Sequence, residues 1–218
     1  MRSGLLFLVF ALISGAIDGT KCSPITAATA AQTTAATERT PWSGPVPDND
    51  PGALLGAFMR ADAQGLQLSS DYWPLVTRFA VWEDGPGWDT SAVVEWAEVS
   101  QRRDSASRSV ITVRMRKIGD LHADGDTMPV LDTSTAGIET RTFILRNVGK
   151  GGQTHWKIVK PQDGPHIGVD YALMKVLPDW CGKRDCRKTA AYRILLEHQE
   201  ACPSSPIQLN RTCNAGNK

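Results

Sequence analysis

Between Trp82 and Ala92 the spacing of apolar residues changes from about 3.6 to 2, and this change most narrows the folds open to the chain. Upstream, Asn49-Asp50-Pro51 places a capping side chain directly before a proline suited to the first helical position. Leu54, Leu55, Phe58, Met59 and Ala61 then recur at three- and four-residue steps, which predicts an amphipathic helix. Asp62 lies on the edge of that stripe, so its carboxylate is either a hydrogen-bonded structural acid or a site residue. The structural reading is favoured, because buried polar groups are usually satisfied ones. A second helix opens at Ser69-Ser70-Asp71, with Asp71 as the expected cap and Pro74 in the first turn, where its missing N–H costs nothing. Tyr72, Leu75, Val76, Phe79 and Trp82 form its apolar face.

Downstream, residues 92–101, 110–117, 138–148 and 155–160 read as strands. In the second of these Ile111, Val113 and Met115 face one way and Thr112, Arg114 and Arg116 the other. The turn Gly149-Lys150-Gly151-Gly152 is short enough to join the last two strands as a hairpin. Residues 119–137, with Asp124-Gly125-Asp126 and Pro129, predict a loop containing at most a fragment of strand. Val169, Ala172, Leu173 and Val176 form a short amphipathic helix, expected to end at Pro178. Helices followed by antiparallel strands define an α+β fold in which N-terminal helices pack on one face of the sheet.

The ends of the chain speak to its compartment. Arg2 followed by an apolar run of nine residues, Leu5 to Ile13, is too short to span a bilayer and reads as a signal peptide over residues 1–16, with cleavage after the small-x-small pair Ser14 and Ala16. The chain is therefore expected to be exported, periplasmic or secreted, with no membrane span. Lys21 argues against a lipid anchor on Cys22, because it stands where such a site needs a small residue. Residues 17–48 form an Ala/Thr-rich linker, residues 49–178 the α+β domain and residues 179–218 a cysteine-rich extension. With Arg2 removed, the 24 basic side chains fall by one to match the 23 acidic ones, so nothing favours a nucleic-acid partner.

In the extension, Cys181, Cys186, Cys202 and Cys213 flank a helix expected over residues 189–201, with Tyr192, Leu195 and Leu196 on one face. Export favours two disulfides among them, since thiols oxidise outside the cytosol. The spacing of Cys181, Cys186, His198 and Cys202 also imitates a small zinc site, but that set would leave Cys213 over; no metal or cofactor is expected. Pairing among the four is open, and Cys22 makes the total odd. Asn210-Arg211-Thr212 fits a glycosylation acceptor, a triplet that often arises by chance.

Glu83-Asp84-Gly85-Pro86-Gly87-Trp88-Asp89 holds a tryptophan between acids. It is either a rim loop presenting Trp88 to a ligand or a tight connection whose Trp88 plugs the core, and burial is the favoured reading. The element order, the aromatic second helix through Tyr72-Trp73 and Phe79 to Trp82, and the late strand Trp156-Lys157-Ile158-Val159 resemble the nuclear-transport-factor-2-like superfamily, with its ketosteroid isomerase-like and SnoaL-like branches, over residues 50–160. The resemblance implies a curved sheet wrapped around the helices, a cone-shaped pocket for a small apolar ligand, and a homodimer formed through the sheet. Pocket candidates are Trp73, Trp82, Trp88, Asp89 and Trp96. The isomerase branch needs a carboxylate base and a tyrosine or acid donor in an apolar pocket. Asp62 and Tyr72, then Glu95 and Glu98, are the groups that would supply them, yet none stands in a motif of that branch. His155 and His166 read as ordinary surface residues. The expectation is a non-catalytic module of the cell envelope that binds a small molecule or a protein; the alternative is a SnoaL-like isomerase, dehydratase or hydrolase.

Overall fold

The computed structural model describes residues 40–83, 85, 88–123 and 128–201. The expected signal peptide, most of the linker, Cys22, Asp84, Cys202, Cys213 and the Asn210-Arg211-Thr212 triplet lie outside the described residues, as does the side chain of Trp96.

Helix α1 (Pro51–Asp62) starts as its sequence requires. The Asp50 side chain accepts from the Ala53 N–H at 2.7 Å, Pro51 opens the first turn, and Asp50 also receives the Arg102 guanidinium at 2.8 Å. Arg102 holds the Asp50 carboxyl below the usual carboxylate range, chiefly through that hydrogen bond. The chain leaves α1 through Gly65, whose φ of 85° is left-handed and where a Cβ would collide with the Tyr171 ring. Ser69, rather than Asp71, caps the next turn, a 3₁₀ turn over Ser70–Tyr72 that runs into α2 (Trp73–Phe79). The Lys157 ammonium donates to the carbonyls of Thr77 and Arg78 at the end of α2, and burial lowers its pKa.

The sheet is mixed. β1 (Thr90–Asp104), β2 (Arg108–His122), β3 (Val130–Asp132), β4 (Gly137–Asn147) and β5 (Trp156–Lys160) pair antiparallel, and β6 (His166–Gly168) returns parallel to β1, in the order β5-β4-β2-β1-β6 with β3 beside β2. β1 and β2 are each 15 residues long, longer than the alternation suggested. Register irregularities at Val93/Val94 and Val94/Trp96 mark where β1 passes between two apolar clusters. The first cluster holds α1, α2 and the expected inward set Ile111, Val113 and Met115, with Val94, Phe143 and Leu145. The second gathers Val93, Ile118, Leu121 and Ile167 beneath the C-terminal helices.

Those helices differ from expectation at Pro178. The helical segment does not stop there but runs through α3 (Val169–Tyr171), a π turn over Ala172–Val176, and α4 (Leu177–Cys181). Leu177 N–H bonds back five residues to Ala172, and the proline then enters the first turn of α4, where its missing donor is tolerated. Cys181 and Cys186 form a disulfide that closes the turn after α4. Two members of the zinc-like set are thereby bonded to each other. Helix α5 (Ala190–Ala201) is anchored by Thr189, whose hydroxyl accepts from Tyr192 N–H at 3.0 Å, and buries Ala191 and Leu195 in the second cluster.

Candidate functional site

Asp62 is the last residue of α1 and is only 2 % exposed. Its Oδ2 accepts the backbone N–H of His166 at 2.8 Å, which satisfies a donor on the edge strand β6. The same oxygen lies 3.8 Å from His166 Nδ1, beyond hydrogen-bond reach. Its other oxygen, Oδ1, has no hydrogen-bond partner among the described residues. Gln67, just past the end of α1, is 6 % exposed, and its Oε1 also lacks a partner among them.

Both side chains line a cleft walled by Phe58, Met59, Trp82, Met115 and Phe143. Trp82 is fixed in the wall by a hydrogen bond from its Nε1 to Val159 O at 3.3 Å and an edge-on contact with Phe58 at 5.7 Å. Pro161, Asp163 and Gly164 form the mouth. Asp163 accepts from Arg141 at 2.8 Å, and Arg141 also pairs with Glu139, so the mouth carboxylate is already neutralised. The cleft encloses about 390 Å³ including its open mouth, but the centre of a water molecule has only about 20 Å³ in which to sit, room for one water or a group of that size.

Of the residues that the sequence singles out, Asp62 and Trp82 line this cleft. Trp88 is half-buried against Gly164 at its mouth, and its buried Nε1 finds no partner among the described residues. Trp73 lies elsewhere, donating to Glu83 O at 3.0 Å and packing over Gly85; Tyr72 packs beside it at the margin of the first cluster, and Asp89 is exposed. Glu98 pairs with Arg114 on the exposed part of the sheet at 3.2 Å. Glu95 is buried away from the cleft, with its Oε1 3.9 Å from His198 of α5 and its Oε2 2.9 Å from Arg116 Nε, the latter without the alignment of a hydrogen bond. His155 pairs with Asp48 at 2.5 Å.

His166 and Gln67 are the site residues that sequence reasoning missed. His166 reads from sequence as an ordinary surface residue, whereas the structure puts it, half-buried, in β6. Three residues give too short an alternation to read as a strand. Its pairing with β1 is a parallel contact across more than sixty residues, which local pattern does not encode. Gln67 stands in a turn that has no period at all.

The class of protein these elements define is a mixed α+β domain with a mixed sheet and a small, largely apolar cleft. No protein-family model, no curated protein and no solved structure matches the chain. Among the described residues no helix is long and apolar enough to cross a membrane.

Proposed function

We propose that residues 49–178 form a nuclear-transport-factor-2-like binding module, exported to the cell envelope or beyond, whose cone-like interior holds a small, mostly apolar molecule by one polar end. The observation that carries this reading is the cleft itself: five apolar or aromatic residues share its lining with Asp62 and Gln67, whose buried Oδ1 and Oε1 no described residue engages. An apolar pocket with a few convergent polar groups is the usual form of a small-molecule site. The Cys181–Cys186 bridge supports export, since such bonds persist in oxidising compartments. A screen of small compounds followed by NMR tests the reading. Binding should shift the signals of Trp82, Gln67 and His166 together; shifts confined to the exposed part of the sheet around Arg114 would refute it.

A second reading, a SnoaL-like isomerase, dehydratase or hydrolase, is favoured by the approach of His166 to Asp62 within one apolar cleft. It ranks second because Asp62 already spends one oxygen on a backbone donor and His166 Nδ1 stands beyond hydrogen-bond reach of that oxygen. Turnover of a small carbonyl or hydroxy compound that disappears in both Asp62→Asn and His166→Gln would reverse that order.

A further inference from the structure

We infer that the polar end of the ligand is a primary ammonium group, so that the cleft binds a small aliphatic or arylalkyl amine. This rests on the reading of the cleft as a binding site and adds the chemistry of what enters it. Three observations converge.

The first is sign. Asp62 brings a carboxylate into a site walled by Phe58, Met59, Trp82, Met115 and Phe143, and the arginine nearest the mouth, Arg141, is bonded to Glu139 and Asp163. Apart from the His166 ring 3.8 Å from its Oδ2, no charged partner of Asp62 occurs among the described residues. A charge buried without a partner is costly, and an entering cation relieves that cost.

The second is donor count. Asp62 and Gln67 both line the cleft, and their buried oxygens Asp62 Oδ1 and Gln67 Oε1 both lack a donor among the described residues. A hydroxyl brings one hydrogen to them; an ammonium brings three, enough for both oxygens with one left over. Hydrogen bonds from an ammonium to a carboxylate are also roughly twice as strong as neutral ones.

The third is the wall. Phe58, Trp82 and Phe143 present aromatic surface to the cleft, and a cation gains from aromatic faces where a neutral or anionic head does not. The room for a water-sized group inside the cleft suits a compact head such as an ammonium, with the apolar remainder lying toward Pro161 and Gly164.

The test uses the full chain with its disulfide intact at neutral pH, titrated calorimetrically with phenethylammonium, its neutral isostere 2-phenylethanol, and 3-phenylpropionate. Phenethylammonium should bind at least about tenfold tighter than the alcohol, and the anion should not bind measurably. Asp62→Asn should cost at least about tenfold of that affinity, Gln67→Leu about threefold or more, and Gln67→Glu should increase it. Because the three probes are compared on the unaltered chain, the outcome does not depend on whether a variant folds. Equal or tighter binding of the alcohol overturns the amine assignment and leaves the binding cleft standing. Preference for the anion overturns it too. If none of the three binds, the two acceptors are served by solvent and the cleft reading falls with the proposal.

Discussion

Asp62→Asn and Asp62→Ala should separate the two things that Asp62 does. In the native chain one carboxylate oxygen holds the His166 N–H at 2.8 Å while the other is buried with no partner among the described residues. Asparagine keeps an acceptor for His166, removes a buried charge, and puts an amide donor in place of the unpartnered Oδ1. The Asn variant is therefore expected to be at least as stable as the native chain. Alanine also removes the charge but leaves the His166 N–H buried and unbonded, which costs about 1–3 kcal/mol relative to the Asn variant. For a folded region of this size that corresponds to about 2–4 °C in Tm for each kcal/mol. Urea unfolding at neutral pH measures the difference, provided the slope against denaturant is the same for all three chains. The reasoning fails if Asn is destabilised as much as Ala, or if the native chain exceeds Asn by more than about 1 kcal/mol. Either result would mean that the Asp62 charge is compensated within the fold, and the case for a cationic ligand would go with it.

Other parts of the structure make independent predictions. Reducing the Cys181–Cys186 bridge, whose cysteines are five residues apart, should lower stability by about 2 kcal/mol, the loop-closure entropy of so short a ring, read as a shift in urea midpoint with and without reductant. Asp50→Ala should cost about 1–2 kcal/mol, from the lost cap and a half-exposed ion pair, whereas Asp50→Asn should lose only the smaller ionic part. Because Asp50 has a depressed folded pKa, its ionic contribution is present above the unfolded value near 4 and fades as pH falls through the folded one; the native and Asn chains should therefore converge in stability at acid pH. Leu195→Ala, at a wholly buried position of α5, should destabilise by about 2–5 kcal/mol in the same assay.

The sequence carried the first cluster well and the second poorly, for a physical reason. The cap at Asp50, the stripe of α1 and the alternation of Ile111, Val113 and Met115 are local signals, each encoded within a few residues of where it acts. The second cluster is assembled from pieces far apart in the chain: Val93 of β1, Leu131 of β3, Ile167 of β6 and Leu195 of α5. None announces its neighbours. The segment through Pro178 misled for a related reason, since a π turn absorbs the proline there and no residue pattern signals a π turn. At the cleft, the stripe-edge position of Asp62 was legible, while its partner His166 depended on a three-residue strand fixed by tertiary pairing.

That division explains why the cleft and the C-terminal helices belong to one account. Asp62 ends the helix that builds the first cluster, and His166 stands beside Ile167, which is buried in the second, so the hydrogen bond between them joins the two. The position of β6 is held on one side by pairing with β1 and on the other by bonds to Asp62 and from Gly168 N–H to Ala63 O. Beyond it the chain enters α3, and Asp170 there is bonded by Gln199 of α5 at 2.7 Å. Loosening α5 should therefore reach the cleft through β6. Leu195→Ala, which does not line the cleft, is expected to weaken ligand binding as well as stability, and a variant that loses stability while keeping full affinity would show that β6 is held by β1, Asp62 and Ala63 alone.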